Sequence, residues 1–231
     1  MTHLHITLWA VLPYLCAGTL IAGSAWRYHY DRFGFTTRSS QLHESRLLRV
    51  GSPLFHIGLL FVIGGHVVGL VVPEDLTRRL HVSESFYHAN ALVVGGLAGC
   101  AATAGLAVLC WRRLRVPAVR AATSRSDRVM YPVLAAALLA GLVTTLVTTS
   151  TSAYDYRTGV AVWFRSLFTL DPDVAAMTGA PLTYQLHALL GMALFTLWPF
   201  SRLVHAFAAP IGYLVRPYVV YRHRGAATRP E

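Results

Sequence analysis

Phe55-His56-Ile57-Gly58 and Gly64-Gly65-His66 place two imidazoles inside an uncharged run from Val50 to Pro73. A bilayer's hydrocarbon core is crossed by about 20 apolar residues at roughly 1.5 Å each, so the run predicts one membrane-spanning helix. At about 100° per residue, the ten-residue step from His56 to His66 leaves the rings some 80° apart around the axis and about 15 Å apart in depth. Both therefore lie on one side of the helix. A buried polar ring needs a partner, and ionisable groups inside a membrane mark pathways or ligand sites. Gly58, Gly64, Gly65 and Gly69 are expected to clear space around the rings for a flat, bulky cofactor.

A matching pair lies near the far end of the chain, at His187 and His205. Their eighteen-residue separation is five helical turns, nominally about 27 Å on one face. Pro199 between them predicts a kink, and tilt shortens the projected spacing, so the two helices can be bridged at two depths. The expected arrangement is two haems, each clamped between the helices by two neutral imidazoles.

The 231 residues are 55% hydrophobic and 13% charged, which describes a membrane protein. Charges leave five long uncharged runs, and these predict an all-α membrane protein, a single domain over 1–231. Its five transmembrane helices are expected at about 4–26, 51–72, 87–111, 129–151 and 182–205, with a tail over 206–231. The first run lacks the basic start and small-residue cleavage site of a signal peptide and is read as a span.

Orientation rests on arginine, because the chain has no lysine. Arg27 to Arg49 carries five arginines, Arg112 to Arg128 six and Arg202 to Glu231 five, sixteen of the twenty. The connections after the second and fourth helices hold Arg78, Arg79, Arg157 and Arg165 with six of the ten acidic residues. The positive-inside rule then puts the amino terminus outside and the tail in the cytoplasm, in a multi-pass protein of the cell membrane. The net charge of +10 is read as topology and contact with anionic membrane lipid; a nucleic-acid partner is disfavoured for want of a basic stripe on a soluble domain. The arginines of the tail from Val215 are the best candidates to dock a soluble partner.

This topology pairs the histidines by depth: His56 with His205 near the cytoplasmic face, and His66 with His187 in the outer half. A lone membrane histidine is more often a packed residue, but two pairs matched in face and depth favour ligation. Tyr87 and His88, at the outer start of the third helix after a capping Ser83 or Ser85, read as interfacial residues or as partners of a lipid-soluble quinol. His3, His5, His29, His43, His81 and His223 fall in termini or loops, where solvation is the default. Arg202 reads as an anchor at the headgroups or as a counterion for a haem propionate. Cys16, Cys100 and Cys110 sit in predicted spans without a Cys-x-x-Cys or Cys-x-x-Cys-His pattern and read as small packing residues. No phosphate-binding loop, dinucleotide fingerprint or hydrolytic triad is present. The fourth helix reads as packing, without a buried charge and with threonines bonded back to the backbone.

In combination, Gly23-Ser24-Ala25-Trp26-Arg27-Tyr28, the two histidine motifs, Arg112-Arg113, Val119-Arg120-Ala121 and Leu186-His187 through Pro199-Phe200-Ser201-Arg202-Leu203-Val204-His205 make the chain resemble a known family. It is the gamma subunit of respiratory nitrate reductase, a membrane di-haem cytochrome b, and the resemblance covers nearly the whole chain. It implies a five-helix anchor that oxidises quinol near the outer face. His66 with His187 and His56 with His205 would be axial ligands of two haem b groups. Electrons would pass to a beta subunit with iron–sulfur clusters and an alpha subunit with a molybdenum cofactor, where nitrate becomes nitrite. Gly65, His66, Tyr87 and His88 are the residues expected at quinol. Better-studied members carry a lysine near the start of the third helix that this chain lacks, so Tyr87 or His88 substitutes for it or quinol is held differently, as for a menaquinol donor. Two rivals remain: a di-haem anchor of another reductase, for a sulfur compound or heterodisulfide, and a haem-free anchor or transporter. The second is disfavoured by the lack of internal repeats.

Overall fold

The computed structural model describes residues 2–36, 39–151 and 154–208. The tail arginines and His223 therefore lie outside the described residues. The described chain is helical, with spans α1 (His3–Tyr30), α2 (Arg46–Val71), α3 (Glu84–Arg115) and α4 (Arg125–Thr151). A fifth, α5 (Leu182–Phe200), is bent by 77° against the segment Arg202–Ala208. The first four outrun the uncharged runs that predict them, because arginines at their ends extend past an apolar core while their stems stay on it. Start signals act where expected: Ser83 Oγ accepts from Phe86 N to open α3, and Ser124 with Asp127 forms a capping box opening α4.

The α2–α3 contact is the most extensive in the molecule, and its small residues explain why. A Cβ at Gly58 would stand 2.5 Å from Ala102 N, one at Gly51 2.9 Å from Val108 Cγ1, and one at Gly105 would collide with the Phe55 backbone. Small residues let membrane helices approach backbone to backbone. Gly58 is thus a packing residue, and Gly69 faces Tyr156 at 3.4 Å; neither clears space for a ligand, as the sequence had suggested. Gly64 and Gly65 do, since a Cβ at either meets nothing within 4 Å. Ordinarily Gly→Ala inside a helix gains up to about 1 kcal/mol from propensity. At Gly58 the facing backbone cannot yield, so Gly58→Ala is expected to cost about 1–3 kcal/mol net through overpacking, measured as a lower Tm in detergent.

One end of the bundle is closed by the connection between α4 and α5. Its helical stretch Val160–Thr169 drops Trp163 against Trp9 at a ring distance of 5.8 Å, edge to face, and Trp163 Nε1 donates to Trp9 O. Arg165 donates to Leu70 O and Tyr14 to Leu167 O, so the connection is tied to both α2 and α1. At the other end, buried Arg112 donates to Glu44 Oε2 at 2.6 Å, Ser40 Oγ at 2.7 Å and Ser40 O at 2.8 Å, fastening the α1–α2 connection to α3. Desolvation opposes ionisation of Glu44, but the Leu47 amide and the Arg112 guanidinium outweigh it and lower its pKa. Arg112 and Arg27, read from sequence as topology signals, are interior fasteners, 2% and 6% exposed.

The spans otherwise present apolar side chains outward, among them Ile57, Leu60, Phe61, Val93, Leu97, Leu139 and Phe195. Such a surface suits lipid and not water. Cys16 is buried and Cys110 partly so, whereas Cys100 is exposed on α3, so only the first two fit a packing role. The α4 hydroxyls behave as expected: Thr144 bonds Ala140 O and Thr151 bonds Val147 O, while Thr148 and Thr149 reach Thr183 and Tyr184 of α5. The expectation of no buried charge fails at Asp127. The uncharged run predicts a helix only from residue 129, yet Asp127 lies in the first turn of α4 and is 1% exposed.

Candidate functional site

His56 and His66 both stand on α2. The ring of His66 faces His187 of α5 at 5.8 Å between centroids, and that of His56 faces His205 at 6.2 Å. Each of the four rings turns Nδ1 to a backbone carbonyl. His56 Nδ1 lies 2.7 Å from Ser52 O, His66 Nδ1 2.7 Å from Val62 O, His187 Nδ1 3.1 Å from Ala137 O, and His205 Nδ1 beside Arg202 O. A carbonyl only accepts, so the proton sits on Nδ1 and the Nε2 lone pair is left for a ligand. This is how outer-shell contacts orient metal-binding histidines.

The donor set also fits. At about 2.0–2.1 Å per metal–imidazole bond, a metal between two rings needs the nitrogens roughly 4 Å apart, and His66 Nε2 lies 3.5 Å from His187 Nε2. Among the described residues no three His, Cys, Asp or Glu converge as a protein cage would require. Two facing imidazoles could supply only two of a metal's ligands, so any further ligands would have to come from outside the chain. Open space flanks the pair, at Gly64 and Gly65 before His66 and at Gly191 one turn beyond His187. The opposite side of His187 is filled: a Cβ at Gly141 would lie 2.8 Å from its Cε1.

His205 reaches His56 because α5 stops being a helix. Pro199 lacks an amide hydrogen and its ring crowds the preceding turn; Trp198–Phe200 tightens to a 3₁₀ turn and Ser201 is extended at φ −117°, ψ −179°. His205 therefore leaves the axis of α5, and the five-turn spacing predicted for a continuous helix does not apply. Breaking a helix orphans carbonyls, and buried Arg27 of α1 satisfies two of them. Its Nη1 donates to Pro199 O at 2.6 Å and Ser201 O at 2.9 Å, and Nη2 to Gly34 O at 2.9 Å. Gly23 admits this approach, since a Cβ there would stand 3.0 Å from Pro199. Beyond the break, Arg202 forks onto Asp127, Nε to Oδ1 at 2.8 Å and Nη2 to Oδ2 at 2.6 Å. Arg202, expected at a propionate, is thus engaged by a carboxylate of its own chain, and its guanidinium also lies 5.7 Å from the Tyr131 ring.

The backbone is π-helical at Val67–Val71 directly after His66, and again at Thr7–Val11 and at Thr144–Thr148. Such turns are rare and frequent at functional sites. Tyr87 of α3, one of the residues expected at quinol, meets the first of them. Tyr87 is buried, with its hydroxyl 3.4 Å from Val68 O. His88 is partly exposed, edge-on to Tyr87 at 6.1 Å and to Tyr156 at 6.3 Å. Tyr156, missed in the sequence, stacks on Tyr184 at 6.3 Å. Burial, then its hydrogen bond with Tyr87, raises the Tyr156 phenol and keeps it protonated at neutral pH. Glu84 and Arg157 complete the cluster and were likewise missed.

Four to five apolar spans carrying two facing histidine pairs define a membrane-embedded helical bundle. The chain belongs to the nitrate reductase gamma subunit family, whose model matches residues 5–224. It is 43% identical to the nitrate reductase gamma chain of Bacillus subtilis over 94% of this chain and 97% of that one. It is 32% identical to the respiratory nitrate reductase 2 gamma chain of Escherichia coli over 96% and 98%. The nitrate reductase-like protein NarX of Mycobacterium tuberculosis is 53% identical over 96% of this chain, but the match spans 35% of that relative.

Proposed function

We propose that the chain is the quinol-oxidising, di-haem cytochrome b subunit of a membrane-bound nitrate reductase complex. The observation that carries this is the common orientation of the four histidines, Nδ1 to a carbonyl and the ring toward its partner's, in a member of this family. His66 with His187 would hold one haem b and His56 with His205 the other. When bound, such a group takes up and passes on one electron at a time. The residues of this chain hold the rings at fixed depth, exclude water with apolar helices and present Gly65, His66, Tyr87 and His88 to quinol.

Arginine asymmetry supports a His66 pair on the outer side and a His56 pair on the cytoplasmic side. Quinol protons would then leave outside, while electrons go inward to a beta subunit with iron–sulfur clusters and an alpha subunit with a molybdenum cofactor. Nitrate would be reduced there and not on this chain. Arg202 stands near enough in sequence to His205 to serve a propionate of the inner haem as well as Asp127.

Native membranes with and without the chain test this. A quinol analogue should raise a b-type reduced-minus-oxidised signal that depends on the chain and vanishes when nitrate is added. A signal that outlasts nitrate would leave the haems in place and transfer the complex to another acceptor.

A further inference from the structure

Arg157 is 3% exposed, although it lies in a connection outside the spans. A buried guanidinium is costly unless paired, and the one carboxylate that pairs with this one is Glu84. Nη1 donates to both oxygens of Glu84, at 2.9 and 3.2 Å, Nη2 to Thr77 Oγ1 at 2.5 Å, and its carbon lies 4.0 Å from the centroid of Tyr87; Nε has no partner. Glu84 itself is half in water, its side chain 49% exposed, and its Oε2 lies 3.9 Å from His88 Nε2. A contiguous path results: from the turn after His66, through Tyr87 and Tyr156, to His88, to Glu84 and to solvent.

We propose that His88 and Glu84 form the proton-accepting end of the quinol site, with Arg157 as the residue that positions the carboxylate. The inference rests on the quinol-oxidising reading above. A quinol becomes a quinone by losing two electrons and two protons. The electrons would leave singly, to the one-electron acceptor that His66 and His187 would hold on that reading. Each proton passes from a quinol hydroxyl to His88, from there to the Glu84 carboxylate, and from Glu84 to water. The groups facing His88 are Glu84 on its own helix, Tyr87, and Tyr156 from the connection after α4. Glu84 faces Arg157 of that connection and, at longer range, Arg78 beside Glu74.

Glu84→Gln separates the two roles of the carboxylate, because the amide oxygen still accepts from Arg157 but takes up no proton. In the assembled complex in native membranes, E84Q is expected to slow quinol-driven haem reduction by about a hundredfold, the low end of what a positioned general base supplies. Arg157→Lys should slow the reaction in the same direction, and Glu84→Asp should recover much of the rate. Haem content, read from the dithionite-reduced spectrum, stays at the unmodified level in each. E84Q with an unchanged rate of quinol-driven haem reduction overturns the relay. If the unmodified complex is reduced by dithionite and not by quinol, the quinol-oxidising reading itself has failed, and the relay with it.

Discussion

Replacing His187 with alanine is expected to halve the b-type haem of the chain and abolish its reduction by quinol. His187 presents Nε2 to His66 at 3.5 Å while Ala137 O and Gly141 fix the back of the ring. No other described imidazole faces His66, so nothing replaces the lost ligand. Loss of an outer-shell partner alone costs metal sites about 10–100-fold in affinity or activity; loss of the ligand should cost quinol-driven nitrate reduction more than about a hundredfold. Electrons from a reduced viologen, entering at the partner subunits, should bypass the defect. Haem extraction decides the matter: two haems per chain in H187A would remove His187 from the ligand set.

The second large effect is expected at Asp127, far from the His66 pair. Asp127 is 1% exposed and accepts both arms of Arg202, whose side chain is 12% exposed. Truncating one partner of a buried ion pair strands the other charge and costs about 3–5 kcal/mol, whereas replacing both by apolar groups is often neutral. Asp127→Ala should therefore lower the Tm of the purified protein sharply and loosen His205 selectively, since Arg202 begins the segment that bears it. Combining Asp127→Ala with Arg202→Met should restore most of the lost stability. A single substitution that moves the Tm no further than an exposed one would mean that the pair contributes little.

The spans and the residues of both pairs were legible in the sequence because charge-free length and helical period are local properties. Residues 51–72 needed no partner to be recognised. The break at Ser201 was only half legible: Pro199 marked a kink, but its size depends on Arg27 supplying hydrogen bonds from 172 residues away. Asp127 carried a readable signal in Ser124-x-x-Asp127, which opens a helix earlier than the uncharged run suggests. Glu84 and Arg157 gave none, since an acid in a first helical turn and an arginine in a connection are ordinary until folding brings them to 2.9 Å. Glycine misled in part, because Gly58 and Gly64 look alike in sequence and only the packing of α3 distinguishes them.

The break in the fifth span also separates two mechanical duties. His56 and His66 are borne by one uninterrupted rod, whereas His187 and His205 stand on pieces of chain anchored to different neighbours, α4 in one case and Arg27 with Asp127 in the other. The pitch of α2 alone then acts as the ruler between the two histidine pairs. A local change at the anchors of His187 or of His205 moves that ring without altering the interval that α2 sets.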